Sequence, residues 1–312
     1  MSTTATNPRI ASDFFVLARD RGTVRNDLPV WASRSDNPFQ LATATRSMEK
    51  DTTMTTCNNN NNNDDENAED SNNKDSYSCP TLSLTAQRYD VDGVPGAFQI
   101  LNILSKEETK SMVDIFEELG FTDDAAVSLP RKIRHNSNLV WISGDVTLDI
   151  LWNRLDPFFV ESAEYLGRRP MGLNGRFRVY RYEEGDFFKY HTDGSWSGTR
   201  ISKTNNTSDG LDEHHYQLVH DAFPGEARSL YTVLFFLNDD FDGGETEFLV
   251  HPADPTQPAT DVGTATKIGI RTPVGGVLLF PHGEHPLHCL HSSTAITRGI
   301  KYIIRSDVLF TL

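Results

Sequence analysis

The chain has 312 residues and a formal net charge of −15, with 37% hydrophobic and 23% charged residues. This composition supports a globular core, and the acidic balance argues against a nucleic-acid-binding surface, which normally presents a basic face. Three cysteines, Cys57, Cys79 and Cys289, are too few for a disulfide framework at this length. A reducing compartment is therefore expected, with a Cys57–Cys79 bridge as the open alternative.

The N-terminal segment contains no recognisable targeting signal. Its sequence, MSTTATNPRIASDFFVLARDRG, lacks the basic start and apolar run of a secretory signal. No stretch of the chain reaches the roughly 18 apolar residues of a helical membrane span. These features favour a cytoplasmic or nuclear location, whereas the oligomeric state is left open.

Residues 1–80 are rich in Ser, Thr, Asn and Asp and include six consecutive asparagines, Asn58 to Asn63. Such a segment buries too little apolar surface to offset the entropy of ordering it, so a disordered polar tail is predicted. The acidic residues that follow the asparagines oppose self-association. The apolar patch from Phe14 to Leu17 is either a short docking segment or a feature without a role.

Order is expected in residues 81–312, where VPGAFQILNIL predicts a strand and two helices follow. The segment from Lys106 to Leu119 carries an apolar stripe, with Ser105 before it and Glu108 three residues further on. This spacing is typical of a capping box, and the glycine after the segment predicts where the helix ends. A second helix is predicted from Thr147 to Leu166.

From Gly175 onwards the pattern changes to apolar strands separated by Gly, Pro and Asp turns. Helices followed by strands favour an α+β fold, and the number of short strands favours a closed or sandwiched antiparallel β-structure. Residues 195–228 and 251–272 are polar or rich in Pro, Thr and Ala, and do not fit a tight barrel. The first of these stretches is either a lid or substrate loop, or surface decoration.

His191-Thr192-Asp193 forms an H-x-D motif within the strand-rich region. Residues i and i+2 of a strand face the same side, so this imidazole and carboxylate can meet one metal ion. With a second histidine they make the two-His, one-carboxylate face that holds Fe(II) and leaves coordination positions open. The motif alone is common by chance, and a surface histidine beside a turn aspartate is the competing interpretation.

The C-terminal part offers candidates for the second histidine: His282, His285, His288 and His291. His291 lies ten residues before Lys301, and a hairpin that turns near Gly299 would bring the Lys301 ammonium close to the metal. A buried cation is costly unless it meets an anion. The distal carboxylate of 2-oxoglutarate would supply that anion.

These motifs occur in one order: RFRVYRYEEGDFFKYHTDG, LYTVLFFLNDDFDGGETEF, a Gly-rich strand, and a histidine followed by GIKYIIRSDV. Together they resemble the prolyl 4-hydroxylase-type family of iron(II)/2-oxoglutarate-dependent dioxygenases, over residues 89–312. The resemblance implies a double-stranded β-helix (jelly-roll) core preceded by helices packed on one sheet. It also implies that His191, Asp193 and His291 bind iron and that Lys301 pairs with the distal carboxylate of 2-oxoglutarate.

Further co-substrate contacts are implied by the same resemblance. Tyr180 or Tyr182 would hydrogen-bond 2-oxoglutarate from the strand that enters the site. Arg305 shares a strand face with Lys301, and would either help to hold a carboxylate or pair with an acidic residue. The turn Asp242–Thr246 matches the family's turn between core strands, where glycines permit tight backbone geometry and the acidic residues are interpreted as structural.

The sequence departs from the family pattern at two places. Phe188 stands three residues before the first ligand, where many members carry Tyr, and Ser292-Ser293 stand where Glu-Gly is frequent. Neither change removes a ligand, although both leave the substrate open.

The other histidines receive simpler interpretations. An exposed loop is expected for His282, His285 and His288, with His288 as the rival metal ligand. Solvated positions in the insertion are expected for His214, His215 and His220.

The resemblance implies hydroxylation of an unactivated C–H bond with release of succinate and CO2, supported by ascorbate. Peptidyl proline is the leading substrate hypothesis, and other peptides, free amino acids and small metabolites stay open. Two other classes compete with this interpretation. One is a cupin-like metalloenzyme that does not use 2-oxoglutarate, and the other is a catalytically silent β-barrel interaction module.

Overall fold

The protein is described by a computed structural model that covers residues 11–20, 28–42, 85–123, 125, 129–159, 165–203, 216–257, 259 and 262–312. Its helices are α1 (Lys106–Leu119) and α2 (Asp145–Leu155), with short 3-10 helices at Ala11–Asp13 and Asp156–Phe158. The strands of the first half are β1 (Phe14–Asp20), β2 (Leu28–Ser33), β3 (Gln87–Asp90), β4 (Phe98–Leu101), β5 (Arg134–His135), β6 (Ser137–Ile142), β7 (Pro170–Leu173), β8 (Arg176–Tyr182) and β9 (Phe187–His191). The remaining strands are β10 (Arg200–Lys203), β11 (Tyr216–Val219), β12 (Ala227–Phe236), β13 (Asp242–Gly243), β14 (Thr246–Val250), β15 (Thr266–Ile270), β16 (Val277–Pro281), β17 (Leu290–Ser293), β18 (Ile296–Arg298) and β19 (Lys301–Thr311).

Two sheets dominate this mostly β architecture. The large sheet has the order β1-β2-β6-β8-β19-β12-β16-β4-β3, and β7 pairs with β19. The small sheet has the order β15-β14-β17-β9-β5. Pairing is antiparallel in both, apart from the parallel contact between β2 and β6. The strand-rich half of the sequence prediction is therefore confirmed as a mostly β structure with few helices.

The two faces of the large sheet cover different apolar clusters. Phe177 and Val179 of β8 join the cluster that contains Met112 and Phe116 of α1. Tyr180 and Tyr182 of β8 join a second cluster with residues of the small sheet. The second cluster lies between the two sheets, which is where the candidate site is built.

The α1 prediction is confirmed at both ends. Ser105 accepts a hydrogen bond from the Glu108 backbone N–H, and the Glu108 side chain accepts one from the Ser105 N–H, so the capping box is complete. The predicted second helix is wrong in its bounds, since α2 ends at Leu155. Pro157 lies in the 3-10 turn that follows, where its ring fits a first helical turn but would disrupt a helix interior.

The prediction of a disordered tail over residues 1–80 is wrong for residues 11–20 and 28–42. These residues form β1 and β2, and Val30 is fully buried in the contact with β6. A short apolar hairpin inside a long polar segment is hidden when composition is averaged over the whole segment. The asparagine run and two of the cysteines, Cys57 and Cys79, lie outside the described residues.

The 195–228 insertion contains the hairpin β10–β11, and residues 204–215 within it lie outside the described residues. Ile201 and Leu218 of this hairpin pack on a small cluster formed by Val30, Val140 and Ile142. The insertion is therefore joined to the edge of the large sheet. In the part of the chain that the structure describes, no helix is long and apolar enough to cross a membrane.

Candidate metal centre

The two histidines of the predicted triad face each other across paired strands. His191 ends β9 and His291 lies in β17, and the two are direct partners in the strand register. Asp193 follows β9 by two residues, and one ligand atom from each of the three side chains lies within 4.8 Å of the others. Among the described residues, this is the one cluster of three or more His, Cys, Asp or Glu side chains with such spacing.

The ligand atoms are separated by distances that suit a metal ion. His191 Nε2 lies 3.9 Å from Asp193 Oδ1, and His291 Nε2 lies 3.7 Å from Asp193 Oδ2. Both gaps are too long for a direct hydrogen bond. Two metal–ligand bonds of roughly 2.1 Å fit within each gap.

Both imidazoles are oriented by backbone carbonyls. His191 Nδ1 lies 2.8 Å from the Lys189 carbonyl oxygen, and His291 Nδ1 lies 3.2 Å from that of Cys289. A carbonyl only accepts, so each Nδ1 carries the proton and each Nε2 presents its lone pair to the centre. Burial lowers the pKa of both rings, that of His191 to about 3, which keeps them neutral as metal ligation requires.

Asp193 is held by two donors at one of its oxygens. Thr232 Oγ1 donates to Asp193 Oδ2 at 2.6 Å, and Arg305 Nη2 lies 3.3 Å from the same atom. Burial alone would raise the pKa of Asp193, but Arg305 and the nearby imidazoles outweigh it and hold the pKa well below the usual range. The carboxylate is therefore charged and orientated, with Oδ1 turned towards His191.

Aromatic rings fix the positions of the imidazoles. The Phe188 ring stacks on His191, with centroids 3.6 Å apart and planes at 15°. Phe280 contacts the His291 ring at 4.6 Å. A phenyl ring at position 188 therefore packs against a candidate ligand, which gives a structural reason for Phe at a position where the resembled family often has Tyr.

Lys301 is buried beside the triad with no acidic partner. Its Nζ donates to the Gly244 carbonyl at 2.5 Å and to Ser293 Oγ at 3.2 Å, and its side chain is 1% exposed. No carboxylate of the described residues lies within 4.0 Å of it. Burial, followed by the field of Arg271, lowers the pKa of Lys301 to about 7. An ammonium in this position requires an anion to become stable.

The glycine-rich turn explains how this lysine fits. Gly244 has a φ of +66°, and a Cβ there would lie 2.3 Å from Ile296 Cδ1 and 3.2 Å from Lys301 Cδ. A side chain would thus strain the backbone and displace the lysine at once. The glycines of the Asp242–Thr246 turn are therefore needed for packing beside Lys301.

Tyr180 and Tyr182 lie on the site face of β8, next to the triad. Both line a small cavity together with Ser293 and the three candidate ligands. Burial raises the pKa of Tyr182 well above its ordinary value, so it is a neutral phenol. The cavity thus combines an open metal face, phenol and serine hydroxyls and, beyond Ser293, the buried ammonium.

The sequence left two roles open for Arg305, holding a carboxylate of the co-substrate or pairing with an acidic residue. The structure shows the second. Arg305 pairs with Asp193 and, at 2.9 Å, with Asp307 on its own strand. It also lines the small cavity. Its first contacts are therefore protein carboxylates, one of which is a candidate metal ligand.

The exposed positions predicted for His282 and His285 are wrong, since each is 1% exposed. His282 Nδ1 lies 2.7 Å from Thr232 Oγ1, so it is connected to Asp193 through one hydroxyl. His288 lies outside the metal cluster, with Nδ1 against the His285 carbonyl. His220 lines a cleft beside the site, and two others predicted as solvated, His214 and His215, lie outside the described residues.

A cleft of about 620 Å³ opens beside the triad, and Lys301 is not among its lining residues. His191, Asp193, Tyr180, Phe188 and Arg305 line both this cleft and the small cavity. The first residues of the 195–228 insertion also line the cleft, through Trp196, Ser197 and Thr199. The site therefore has two compartments that meet at the candidate metal face.

The chemistry of the donor set fits iron(II) and a dicarboxylate. Two neutral imidazoles and one carboxylate form the ligand set of open non-haem iron sites. A buried lysine without a carboxylate partner fits the distal end of 2-oxoglutarate. The set of metal ligands and the buried lysine are independent features, and both lie between the same two sheets.

Comparisons with known proteins return structural neighbours only. No protein-family model and no curated protein matches the chain. A viral collagen prolyl hydroxylase from Paramecium Bursaria Chlorella virus-1, solved as a 2OG complex, is 17% identical, covering 73% of this chain and 97% of its own, with a TM-score of 0.38. A Pseudomonas putida prolyl-4-hydroxylase is 13% identical, covering 68% and 91%, with a TM-score of 0.41.

A third similar structure is a Trichoplax adhaerens prolyl hydroxylase in complex with a hypoxia inducible factor peptide fragment. It is 19% identical, covering 68% of this chain and 83% of its own, with a TM-score of 0.44. These neighbours are prolyl hydroxylases, the group that the sequence motifs resemble. At such identities and TM-scores the similarity assigns no activity to this chain, which has to be argued from its own site.

Proposed function

We propose that the protein is an iron(II)- and 2-oxoglutarate-dependent dioxygenase built on a double-stranded β-helix core. The observation that carries this proposal is the pairing of an open His191–Asp193–His291 face with buried Lys301, which has no carboxylate partner among the described residues. The metal face alone fits many enzymes. The ammonium beside it, which meets only neutral acceptors among the described residues, favours an anionic co-substrate.

His191 and His291 would bind iron through Nε2, and Asp193 through a carboxylate oxygen. Lys301 would hold the distal carboxylate of 2-oxoglutarate, with Ser293 already directed at its ammonium. When bound together, iron and 2-oxoglutarate supply the oxidation of an unactivated C–H bond by O2, with succinate and CO2 as co-products. Ascorbate would keep the metal reduced.

The residues of the chain contribute orientation and exclusion of water. Thr232 and Arg305 fix Asp193, while the two backbone carbonyls fix the imidazoles. Tyr180 and Tyr182 line the co-substrate cavity and would donate hydrogen bonds to its ligand. The aromatic walls from Phe188 and Phe280 keep the centre dry, which strengthens every charge interaction in it.

The substrate would enter through the 620 Å³ cleft, which His191 and Asp193 of the metal face line. Peptidyl proline is the substrate that we propose, because the site resembles that of prolyl hydroxylases in its ligand order and its lysine. A peptide would bind along the cleft between β6, β8 and the 195–228 insertion, which would act as a substrate loop.

Anaerobic titration of the metal-free protein with Fe(II) and then 2-oxoglutarate tests the proposal. We expect a visible charge-transfer band that requires both additions, is absent in His191→Ala, and does not saturate with 2-oxoglutarate in Lys301→Met. His251→Ala is the matched control, because His251 lies outside the metal cluster and accepts backbone N–H groups.

Two outcomes would contradict the proposal in different ways. Iron binding without any effect of 2-oxoglutarate would favour a cupin-like metalloenzyme. Binding of neither would leave a catalytically silent β-barrel module. Release of succinate from 2-oxoglutarate in air, dependent on iron and lost in Asp193→Ala, is the corresponding activity measurement.

A further inference from the structure

The cleft on the substrate side is basic, although the whole chain carries a net charge of −15. Among the described residues, four arginines line it, and the one carboxylate that lines it is that of Asp193, a candidate metal ligand. The arginines are Arg134, Arg176, Arg178 and Arg305. Because the chain as a whole is acidic, the positive charge of this cleft has to come from a few particular residues.

The strand β8 produces most of this charge. Its residues at positions 176, 178, 180 and 182 share one face, so two arginines are followed by two tyrosines along the wall between the sheets. Tyr182 is the register partner of Lys301, and Arg178 is the partner of Arg305. The strand therefore runs from the co-substrate end of the site to the substrate end.

Arg305 is already neutralised by protein carboxylates. It lies 3.3 Å from Asp193 Oδ2 and 2.9 Å from Asp307 Oδ1. The carboxylate charge of Asp193 would be balanced by the bound metal ion. Asp307 is therefore the main counter-ion for the arginines in this part of the cleft. Arg305 has little attraction left for a substrate anion.

Arg178 has no carboxylate of its own among the described residues. Its nearest carboxylate in the described chain is Asp307, at 4.0 Å, and that group is engaged by Arg305. Its Nη1 atom is buried without a hydrogen-bond partner in that part of the chain, and its guanidinium lies 4.7 Å from the Trp196 ring centroid. Burial, followed by the field of Arg305, lowers the pKa of Arg178 to about 10. These features describe a cation that a further anion would stabilise.

We propose that Arg178 binds a carboxylate of the substrate, so that the enzyme acts on acidic substrates. This inference rests on the proposed dioxygenase function. A guanidinium recognises a carboxylate through two parallel N–H donors, and Trp196 holds the guanidinium plane in position. Arg134 and Arg176 add charge of the same sign to the cleft. The carboxylate belongs either to an acidic side chain of a peptide or to a free amino acid or small acid.

Binding of matched probe pairs to the protein loaded with Mn(II) and 2-oxoglutarate tests this inference without turnover. The peptide arm uses Gly-Pro-Asp-Gly and Gly-Pro-Asn-Gly with blocked ends, and the small-molecule arm uses N-acetyl-aspartate amide and N-acetyl-asparagine amide. Calorimetry is expected to show roughly 10- to 100-fold tighter binding of the carboxylate member in at least one arm. The arm that responds identifies the source of the carboxylate.

The variant Arg178→Gln should remove this preference and bring the two members of a pair within about threefold. Arg298→Gln is the control, because that arginine pairs with Asp242 on the exposed surface. Arg178→Lys keeps the charge but loses the paired donors, and is expected to retain part of the preference.

Each alternative result overturns the inference in a recognisable way. Equal binding of carboxylate and amide probes, or a preference that survives in Arg178→Gln, would exclude Arg178 as the anchor. Loss of 2-oxoglutarate binding in Arg178→Gln would assign Arg178 to the co-substrate instead. If wild-type protein fails to bind 2-oxoglutarate at all, the proposed function itself fails, and the control titration shows that separately.

Discussion

The Thr232 hydroxyl connects a candidate metal ligand to a buried histidine. It donates to Asp193 Oδ2 at 2.6 Å and lies 2.7 Å from His282 Nδ1. Because the hydroxyl has one proton, its donation to Asp193 means that His282 Nδ1 is protonated and donates to the threonine oxygen. Ser229 Oγ lies 2.8 Å from the other ring nitrogen. This chain of hydrogen bonds fixes the orientation of the Asp193 carboxylate through its Oδ2 atom.

We therefore predict that Thr232→Val weakens metal binding by roughly 10- to 100-fold while the fold is kept. Valine has the shape of threonine but leaves Asp193 and His282 without their shared hydroxyl. Competitive titration with Co(II) measures the affinity. Thr272→Val is the control, since Thr272 is 1% exposed and hydrogen-bonds Gln99 away from the triad. Unchanged metal affinity in Thr232→Val would show that the carboxylate needs no such support.

The ammonium of Lys301 predicts a pH dependence of co-substrate binding. Burial lowers its pKa to about 7, so it is charged below that pH and neutral above it in the free protein. A bound carboxylate favours the charged form, so binding above pH 7 must be accompanied by uptake of a proton. The apparent Kd for 2-oxoglutarate is expected to rise by about tenfold per pH unit above 7.

Anaerobic 2-oxoglutarate titrations between pH 6 and pH 9 measure this dependence through the charge-transfer band. The Kd should be nearly constant below pH 7 and then rise. Lys301→Arg keeps its charge throughout this range, so its Kd, even if weaker, should vary little with pH. A wild-type Kd that is flat from pH 6 to pH 9 would contradict the assignment of Lys301 as the anchor.

At the scale of the element, β19 carries both the co-substrate lysine and the buried ion pairs. Asp307 has no exposed side-chain surface and faces Arg305 at 2.9 Å and Arg178 at 4.0 Å. Asn174 Nδ2 also donates to it, at 3.4 Å. The strand can bury these charges because one carboxylate serves two guanidinium groups.

Asp307→Asn is expected to lower the free energy of unfolding by roughly 3–5 kcal/mol, since it leaves buried Arg178 without its nearest carboxylate and leaves Arg305 with Asp193 alone. Asp242→Asn removes a carboxylate from an arginine pair whose side chains are 56% and 71% exposed. That control should change stability by no more than about 1 kcal/mol. Urea denaturation of the two variants gives the comparison, and equal effects would show that the buried cluster tolerates excess positive charge.

The elements that sequence reasoning located are those whose signals are local. Ser105 and Glu108 are three residues apart, and His191 and Asp193 two apart, so capping and ligand spacing can be read directly. The predicted hairpin between His291 and Lys301 is wrong, because β17 pairs with β9 and β14 in the small sheet and β19 pairs with β8 and β12 in the large sheet. Lys301 nevertheless approaches the site, because its ammonium donates to Ser293 of β17. By contrast, Thr232 meets Asp193 across 39 residues and His282 across 50. Sequence periodicity cannot reveal contacts between residues so far apart in the chain. The sequence therefore did not predict that Thr232 and His282 support Asp193.

The difference between local and long-range contacts also explains why some residues predicted to be exposed are buried. PHGEHPLH contains two prolines and a glycine, which favour an exposed loop, yet His282 has partners on β12 that bury it. Arg178 alternates with apolar residues on β8, as a solvent-facing arginine would. It faces a cleft because the 195–228 insertion, carrying Trp196, covers that face of the sheet.

At the scale of the whole molecule, residues 11–20 and 28–42 belong to the folded unit. The described part of this segment adds two strands to the large sheet and places Phe39 against Trp141, with ring centroids 5.0 Å apart and planes at 90°. Phe39 also contacts Phe116 of α1 at 5.5 Å. The segment therefore covers the apolar surface shared by α1 and the sheet.

We predict that deletion of residues 1–42 lowers the free energy of unfolding by at least about 5 kcal/mol. Loss of one buried phenylalanine alone costs roughly 3–5 kcal/mol, and the deletion also exposes Trp141, Val140 and Ile142. For a chain of this size the Tm should fall by roughly 10–20 °C. Calorimetry of the deleted and full-length proteins measures the difference. Deletion of residues 58–74, predicted from composition to be disordered, is the control and should leave the Tm unchanged. If the two deletions have equal effects, the N-terminal strands contribute nothing to stability, and the unit that folds begins near residue 85.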